Sequence, residues 1–464
     1  MIQIGRKDII WNYAATFLKI ASSALLLPLI LKKMPSEMVG IWTIFMAITA
    51  FSVLLDFGFN PSFTRNVTYI FSGVNSLKVK GFESVLAENQ TVDYGLLKGV
   101  ISAMRWFYLR MAIVLFLLLS TLGTYYIYTL LKSYKGNQQE VYIAWTILVV
   151  INSYNLFTLY YESLLMGKGL VKRSKQIVII GQTIYLVISS LLIINGNGLV
   201  AIVSAQASSV IIIRWLSYHS FFNQEIKQNL SASISRSKNE VLKAISPNAL
   251  KIGLTMIGGY MVTRSAIIIG SLYLPLQEIA SYGITMQLIA VITGLASIYI
   301  TTYQPKIAQL RVADNNLTIK ELYLKGQIIM LSTYIVGGIV LLILGEIALK
   351  YIGSKTQLLS QLLILVAMVI SFLENNHSIA GMILLSKNEV PFFKAALLSG
   401  AATVLFLLLL FRFTNFGIWA LMVAPGIAQG VYQNWKWPLV VIKEFDIKQE
   451  DLVKTFLKIL KFNK

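Results

Sequence analysis

About a dozen apolar stretches of membrane-spanning length run through this 464-residue chain, and they limit the folds open to it. A helix needs about 20 mostly apolar residues to cross the roughly 30 Å of hydrocarbon in a bilayer. The stretches cover residues 9–31, 38–58, 106–131, 142–166, 176–195, 198–218, 249–273, 279–303, 327–350, 358–385, 392–412 and 417–441. We therefore predict an all-α polytopic membrane protein with about 12 transmembrane helices.

The composition agrees with a membrane protein and excludes several kinds of site. Hydrophobic residues make up 56% of the chain and charged residues 13%. The chain has no cysteine, which excludes disulfides, thiolate metal sites and cysteine nucleophiles, and two histidines make a zinc or haem site a poor expectation. We expect no catalytic residue, metal or cofactor, and a proton or sodium gradient as the energy source.

The net charge of +20 is distributed unevenly over the two sides of the predicted spans. Most Lys and Arg residues fall on the side that holds Arg6, the 168–175 cluster, the 214–251 connection and the tail after Lys443. By the positive-inside rule this side is cytoplasmic, and both termini lie there. The basic residues form no solvated face with aromatic platforms, so nucleic acid is not an expected partner. The first stretch is too long for a signal peptide and is predicted to be retained.

A weak internal repeat relates the two halves of the chain. The segment from Leu31 to Trp42 resembles that from Leu272 to Tyr282, with a proline and aliphatic and aromatic positions in common. We predict two six-helix lobes related by a parallel pseudo-twofold axis. The predicted parts are an N-terminal lobe at 1–220, a cytoplasmic linker at 221–245, a C-terminal lobe at 246–442 and a basic amphipathic cytoplasmic tail at 443–464.

Two basic residues lie near the middle of predicted spans, where a charge is costly unless it faces a cavity or a partner. Lys19 is in the first span and Arg264 is in the seventh, the leading helix of each predicted lobe. Polar residues at helical spacing share their faces, namely Asn12, Thr16 and Ser23 with Lys19, and Tyr260 with Arg264. These positions are candidates for binding an anion; the alternative is that each base pairs with a buried carboxylate.

Acidic residues inside the spans are candidates for ion coupling. They are Asp56, Glu162 and Glu374. Asn155 lies on the same helix face as Glu162 and is a candidate substrate-binding residue. The alternative for each carboxylate is a salt bridge or a position at a helix end. Gln429, near the predicted cytoplasmic end of the last span, is interpreted as an interfacial residue.

Three further segments resemble a known family. They are Leu54-Leu-Asp-Phe-Gly-Phe-Asn-Pro-Ser-Phe-Thr-Arg65, Pro28 followed by Val39-Gly-Ile-Trp42, and Gln304-Pro-Lys-Ile-Ala-Gln-Leu310. Over nearly its whole length the chain resembles the O-antigen (Wzx-type) polysaccharide flippases of the multidrug/oligosaccharidyl-lipid/polysaccharide exporter superfamily. The resemblance implies two six-helix lobes around a cationic cavity, in the bacterial cytoplasmic (inner) membrane. Lys19 and Arg264 match by helix and depth.

The resemblance also implies a function. The substrate would be an undecaprenyl-diphosphate-linked oligosaccharide, flipped by ion-coupled alternating access for O-antigen, lipopolysaccharide or other surface polysaccharide assembly. Further implied partners are membrane lipids, a glycan polymerase and glycosyltransferases. Many superfamily members carry an acidic residue near the position of Arg264, and this departure favours an anionic substrate over a cationic drug. A cation-coupled drug exporter and a polytopic glycan polymerase stay as alternatives, although the short outer loops leave no room for a catalytic domain.

Overall fold

The computed structural model describes residues 6–74, 76–77, 92–312, 315–387 and 390–461, and all regular secondary structure in these ranges is helical. The chain is thus an all-α polytopic membrane protein. Within these helices some side chains lie outside the described part, including those of Asn12, Thr16, Lys19 and Ser23 in the first helix.

The chain divides into two compact units. Unit 1 comprises Met1–Met34 and Phe45–Met256, and unit 2 comprises Pro35–Ile44 and Ile257–Lys464. Two long helices, α2 (Ser36–Leu54) and α11 (Lys238–Gly270), contribute residues to both units. The predicted lobe boundaries, with a linker at 221–245, stay a prediction.

The remaining helices of unit 1 are connected in chain order from the N-terminus to the start of α11. They are α1 (Arg6–Lys33), α3 (Phe59–Phe71), α4 (Tyr94–Leu118), α5 (Thr124–Leu131), α6 (Gln138–Phe157), α7 (Tyr160–Gly167), α8 (Val171–Ile194), α9 (Leu199–Phe221) and α10 (Gln224–Ala232). A π-helical turn, Leu119–Gly123, joins α4 to α5. α1 packs on α8, and α8 packs on α9.

Unit 2 contains the longest helices of the described chain. They are α12 (Leu276–Val312), α13 (Asn316–Ile352), α14 (Gln361–Leu385), α15 (Phe393–Phe413), α16 (Ala420–Gly430), α17 (Gln433–Glu444) and α18 (Gln449–Lys461). α12 packs on α13 and α14, and α15 packs on α16.

Among the described residues, 10 helices are long and apolar enough to cross a membrane by length and composition. The first predicted span, 9–31, lies within α1. The last one, 417–441, was predicted as one helix, but the structure divides it into a short 3-10 turn, α16 and α17. Pro425 and Pro438 lie inside these two helices, and a proline removes one backbone donor and disfavours a long continuous helix.

The second predicted span, 38–58, is shorter than expected. α2 ends at Leu54, and a turn reverses the backbone at Phe57 (φ 47°) and Gly58 (φ 70°), both left-handed. Gly58 adopts this conformation without a Cβ penalty, whereas Phe57 is an uncommon residue there. Asp56 therefore lies in the turn that leads into α3, outside the helix in which it was predicted.

The two segments of the internal repeat contact each other in unit 2. The Glu37 carboxylate accepts a 2.7 Å hydrogen bond from Gln277 Nε2. Gly40 in α2 faces the backbone carbonyl of Leu276, and a Cβ at this position would overlap that oxygen. The small residue thus allows the first turns of α2 and α12 to approach closely.

The C-terminal helix α18 is attached to α13. Lys320 Nζ lies 2.7 Å from Asp451 Oδ2 and donates a 2.9 Å hydrogen bond to the Asp446 carbonyl. The Lys320 hydrogen bond holds the pKa of Asp451 below its ordinary value. The apolar residues Leu452 and Phe456 of α18 are exposed.

Candidate functional site

A buried arginine, Arg214 on α9, organises a polar cluster in unit 1. Its side chain is 6% exposed. Nε and Nη2 donate hydrogen bonds of 3.1 and 2.6 Å to Oδ1 of Asn155, at the end of α6. Both donors converge on one amide oxygen, so the guanidinium is held in a fixed orientation.

Glu162 is the carboxylate of this cluster. It lies in the first turn of α7 and attracts Arg214 electrostatically. No ion pair of 4.0 Å or less joins the two side chains. The predicted face shared by Asn155 and Glu162 is interrupted at Thr158, where α6 ends, yet both residues remain next to the same arginine.

Asp56 and Tyr108 form a second buried polar contact in unit 1, in addition to that of Arg214 with Asn155. Tyr108 Oη donates a 2.6 Å hydrogen bond to Asp56 Oδ1, and the Asn60 backbone N–H donates to both carboxylate oxygens at 3.0 and 3.2 Å. Asp56 is 4% exposed. Its carboxylate thus closes the turn before α3, which is the helix-end position that the sequence left open as the alternative to ion coupling.

Tyrosine rings line the region around Arg214. The Tyr108 and Tyr160 ring centroids are 6.4 Å apart, those of Tyr160 and Tyr161 are 4.5 Å apart, and those of Tyr161 and Tyr218 are 5.6 Å apart. Their rings combine an apolar body with a hydroxyl group. Tyr108 and Tyr160 are buried, so these two rings pack the interior of unit 1 around Arg214.

Arg264 lies in a second cluster, which is in unit 2. It is half-buried on α11 and interacts electrostatically with Glu374 on α14 and Tyr282 on α12. No ion pair of 4.0 Å or less joins Arg264 to Glu374. The Arg264 guanidinium is therefore near a carboxylate without being neutralised by direct contact.

Amide groups surround Glu374. Gln429 on α16 is 3% exposed and faces the Glu374 carboxyl group, but its Nε2 has no hydrogen bond of ordinary length. Asn375 accepts a 2.9 Å hydrogen bond from Ser297 Oγ, while its buried Nδ2 has no partner. Buried donors without partners are costly, so the Asn375 amide nitrogen is an unsatisfied group of this cluster.

One turn further along α14, His377 Nδ1 lies 2.9 Å from the Asn434 side-chain oxygen on α17. Among the described residues, no group of three or more His, Asp or Glu side chains could hold a metal ion. The polar groups of this region thus present hydrogen-bond donors and charges, not a metal-binding set.

The structure brings some predicted residues together and separates others. Asn155, Glu162 and Asp56 belong to unit 1, and Arg264, Tyr260 and Glu374 belong to unit 2. The side chains of Asn12, Thr16, Lys19 and Ser23 lie outside the described residues, so their proposed role stays a prediction.

Sequence reasoning missed Arg214, Tyr108 and Tyr282, and it assigned Gln429 to the interface although Gln429 is buried. Arg214 lies near the end of its predicted span and was counted with the cytoplasmic charges. A useful signal would have been its spacing from Trp215 and Tyr218, since an arginine that precedes interfacial aromatics lies deeper than they do.

The fold has solved relatives at low sequence identity. An inward-facing multidrug resistance MATE family transporter of the MOP superfamily matches with a TM-score of 0.60 and 16% identity, over 95% of this chain and 96% of that chain. The lipid II flippase MurJ, in an inward closed conformation, matches with a TM-score of 0.61 and 13% identity, over 97% and 90%. These likenesses show the fold.

A third solved relative is a MOP superfamily transporter from Pyrococcus furiosus, described as having a binding pocket of reverse polarity that suggests a different function. It matches with a TM-score of 0.57 and 16% identity, over 95% of both chains. No protein-family model and no curated protein matches the sequence.

Proposed function

We propose that this chain is a transporter, and specifically a flippase that moves an undecaprenyl-diphosphate-linked oligosaccharide across the bacterial cytoplasmic membrane by alternating access. It would serve the assembly of O-antigen, lipopolysaccharide or another surface polysaccharide. The fold supports a transporter because it is shared with a MATE family transporter and with the MurJ flippase. The finer assignment rests on the charges inside the spans.

The observation that carries the proposal is the environment of Arg264. An ionised group within a membrane span is costly and is retained where it has a function. Within the described residues Arg264 has no ion pair of 4.0 Å or less, although Glu374 is near enough to attract it. A guanidinium in this state can bind a diphosphate through two parallel hydrogen bonds.

The surrounding groups suit the rest of such a substrate. Gln429 faces the Glu374 carboxyl group, the buried Asn375 amide nitrogen has no partner among the described residues, and Tyr282 adds a hydroxyl group. Sugars need many hydrogen bonds because an unpaired hydroxyl in hydrocarbon is costly. The polyprenyl tail prefers the hydrocarbon, so it can remain in the bilayer while the polar part is moved.

Coupling to an ion gradient would act through the carboxylates. Glu374 in unit 2 and Glu162 in unit 1 each attract an arginine without a direct ion pair. Protonation of the Glu374 carboxyl group would remove that attraction and leave Arg264 free for an anionic substrate. Binding of the proton and binding of the anionic substrate would then favour each other at this site, so the direction of an imposed proton gradient should change the transport rate.

A second candidate is a cation-coupled drug exporter of the same fold. Glu162 and Glu374 support it, because a carboxylate in a membrane span can bind a cationic drug. The two candidates differ in the sign of the substrate charge. They also differ in what removal of Arg264 does, since a cation gains from the loss of a positive charge and a diphosphate does not.

The test is transport by the purified full chain in proteoliposomes that contain a fluorescent undecaprenyl-diphosphate-linked oligosaccharide. Quencher access from outside measures how much of the sugar has crossed the bilayer. We expect the Arg264→Ala variant to lose transport, and the matched variant Arg412→Ala, at the exposed end of α15, to keep it. Normal transport by Arg264→Ala would overturn the proposal.

A further inference from the structure

A cluster of basic side chains surrounds the last two turns of α9 in unit 1. Lys168 Nζ lies 5.8 Å from the Phe71 ring centroid and 5.9 Å from that of Phe221. Lys227 Nζ lies 5.7 Å from the Tyr218 ring centroid. Arg173 Nε donates a 3.1 Å hydrogen bond to Ser220 Oγ. Each of these three bases thus contacts a residue in the last turn of α9, and we call Lys168, Lys227 and Arg173 the α9 basic cluster.

The charge of the α9 basic cluster is not compensated by protein carboxylates. Within the described residues, none of its three members takes part in an ion pair of 4.0 Å or less. This includes Glu225, the carboxylate in the first turn of the neighbouring helix α10. The aromatic rings attract the ammonium groups but leave their positive charge in place. The cluster therefore presents a net positive surface.

Three basic residues of unit 2 are paired with carboxylates. Glu444 lies 2.7 Å from Arg311 and 2.8 Å from Lys387, and Asp451 lies 2.7 Å from Lys320. Two carboxylates thus offset most of the charge of these three bases. A general excess of positive charge on the cytoplasmic side would affect both units alike. A ligand that binds the α9 basic cluster would affect unit 1 alone.

Apolar surface lies next to the α9 basic cluster. Trp215 is 58% exposed and Ile211, one turn earlier on α9, is 51% exposed. Tryptophan is common at the level of lipid headgroups, and an exposed isoleucine in a membrane helix contacts acyl chains. Cations and apolar side chains that adjoin in this way match a lipid with an anionic headgroup better than they match a soluble phosphate.

We propose that the α9 basic cluster binds the headgroup of an anionic membrane phospholipid. Lys168 and Lys227 would contact the phosphate as compact charges, and Arg173 would donate to its oxygens. Trp215 and Ile211 would pack against the glycerol backbone and the upper part of the acyl chains. This site is separate from the Arg264 cluster and does not depend on the proposed function.

Native mass spectrometry of the full chain in detergent tests this assignment, with phosphatidylglycerol as the probe and phosphatidylcholine as the neutral comparison. We expect tighter binding of phosphatidylglycerol. The double variant Lys168→Gln/Lys227→Gln should weaken it by about 25-fold, because each basic residue near a lipid surface contributes about fivefold. The variant Lys168→Arg/Lys227→Arg keeps both charges and should bind as the unaltered protein does.

The matched control is Lys132→Gln/Lys135→Gln, at the opposite ends of the spans of unit 1. Lys132 also lies over an aromatic ring, 5.1 Å from the Tyr128 centroid, so this control removes the same charge and the same type of contact. We expect it to bind phosphatidylglycerol normally. Equal losses in both double variants, or no loss in Lys168→Gln/Lys227→Gln, would overturn the assignment. Undecaprenyl diphosphate serves as a third probe. A loss of binding confined to this lipid would also overturn the assignment, because it would assign the cluster to the transported lipid.

Discussion

Arg214 and Arg264 differ in how their charges are held, and this difference separates a structural role from a binding role. Arg214 is buried and donates two hydrogen bonds to Asn155. Arg264 is half-buried and is attracted by Glu374 without a direct ion pair. We infer that Arg214 stabilises unit 1 and that Arg264 is free to bind substrate.

Removal of the Asn155 amide should destabilise unit 1. In Asn155→Leu the two Arg214 donors lose their acceptor while the charge stays buried, which should cost about 1–3 kcal/mol. The double variant Asn155→Leu/Arg214→Met removes both partners and should be less destabilised than the sum of the single variants. Thermal unfolding in detergent measures this coupling, and strictly additive losses would show that the contact has no energetic value.

The Tyr108 hydroxyl should stabilise the turn before α3. Tyr108→Phe deletes the 2.6 Å hydrogen bond to Asp56 and leaves its carboxylate with the Asn60 backbone N–H. A hydrogen bond to a charged group contributes about 1.5–3 kcal/mol. Denaturant unfolding should therefore show a loss of that size, whereas an unchanged midpoint would argue that Asp56 is protonated or otherwise satisfied.

At the residue scale the sequence predicted Arg264, Glu374, Asn155 and Glu162 as polar groups within spans, because an ionisable residue is conspicuous in an apolar run. It did not predict which of them meet. Glu162 and Arg214 are 52 positions apart and belong to different helices, so their proximity depends on packing that no local pattern encodes. Gln429 was wrongly assigned to the membrane interface, because its burial also depends on packing between helices that are distant in sequence.

The helices pack closely where glycine replaces a side chain. A Cβ at Gly258 on α11 would overlap the backbone of Ala396 on α15, while one at the neighbouring Gly259 would meet nothing within 4 Å. The two glycines therefore differ in environment although they are adjacent in sequence. They form a matched pair for testing the α11 and α15 contact.

We expect Gly258→Ala to destabilise unit 2 by about 1–3 kcal/mol, because α11 and α15 must move apart to accept the methyl group. Gly259→Ala should leave stability unchanged or raise it by up to about 1 kcal/mol, since alanine is the better helix former. Thermal unfolding of both variants in one detergent provides the comparison. A Gly258→Ala variant as stable as Gly259→Ala would contradict the observed packing.

The attachment of α18 to α13 should depend on pH. Lys320 holds the pKa of Asp451 below its ordinary value, so the pair contributes at and above that ordinary value and is lost as the pH falls through the lowered pKa. Amide exchange of α18 should therefore rise below about pH 4.

The variant Lys320→Gln should raise amide exchange of α18 already at neutral pH. The control Lys454→Gln removes an exposed pair with Glu450, 3.6 Å apart on the same helix, and should leave the exchange unchanged. Equal protection of α18 in Lys320→Gln and in the unaltered chain would show that other contacts hold this helix.

At the element scale, apolar length predicted most spans but not the interruptions within them. Hydropathy does not register the left-handed turn at Phe57 and Gly58, or the break after Gly430 that divides the last span. Hydropathy also missed that α12 continues to Val312 and that α13 begins at Asn316, so that both helices extend beyond their apolar parts. Polar continuations of a helix carry little apolar signal, so their ends cannot be located in this way.

The whole molecule combines an all-α polytopic membrane fold with an arginine and a carboxylate near each other in each of its two units. Arg214 with Glu162 and Arg264 with Glu374 provide one basic and one acidic group per unit. The fold is shared by proteins with different substrates, so it does not determine what is moved. The proposed function and its alternative differ in the sign of the substrate charge, and a transport measurement distinguishes them.

The most direct test compares two substrates in the same proteoliposomes of the unaltered full chain, under an imposed proton gradient. One is a fluorescent undecaprenyl-diphosphate-linked oligosaccharide, and the other is a lipophilic cationic dye. The proposed function predicts gradient-dependent transport of the diphosphate-linked glycan, its loss in Arg264→Ala, and no transport of the dye. Transport of the dye without the glycan, undiminished in Arg264→Ala, would contradict it.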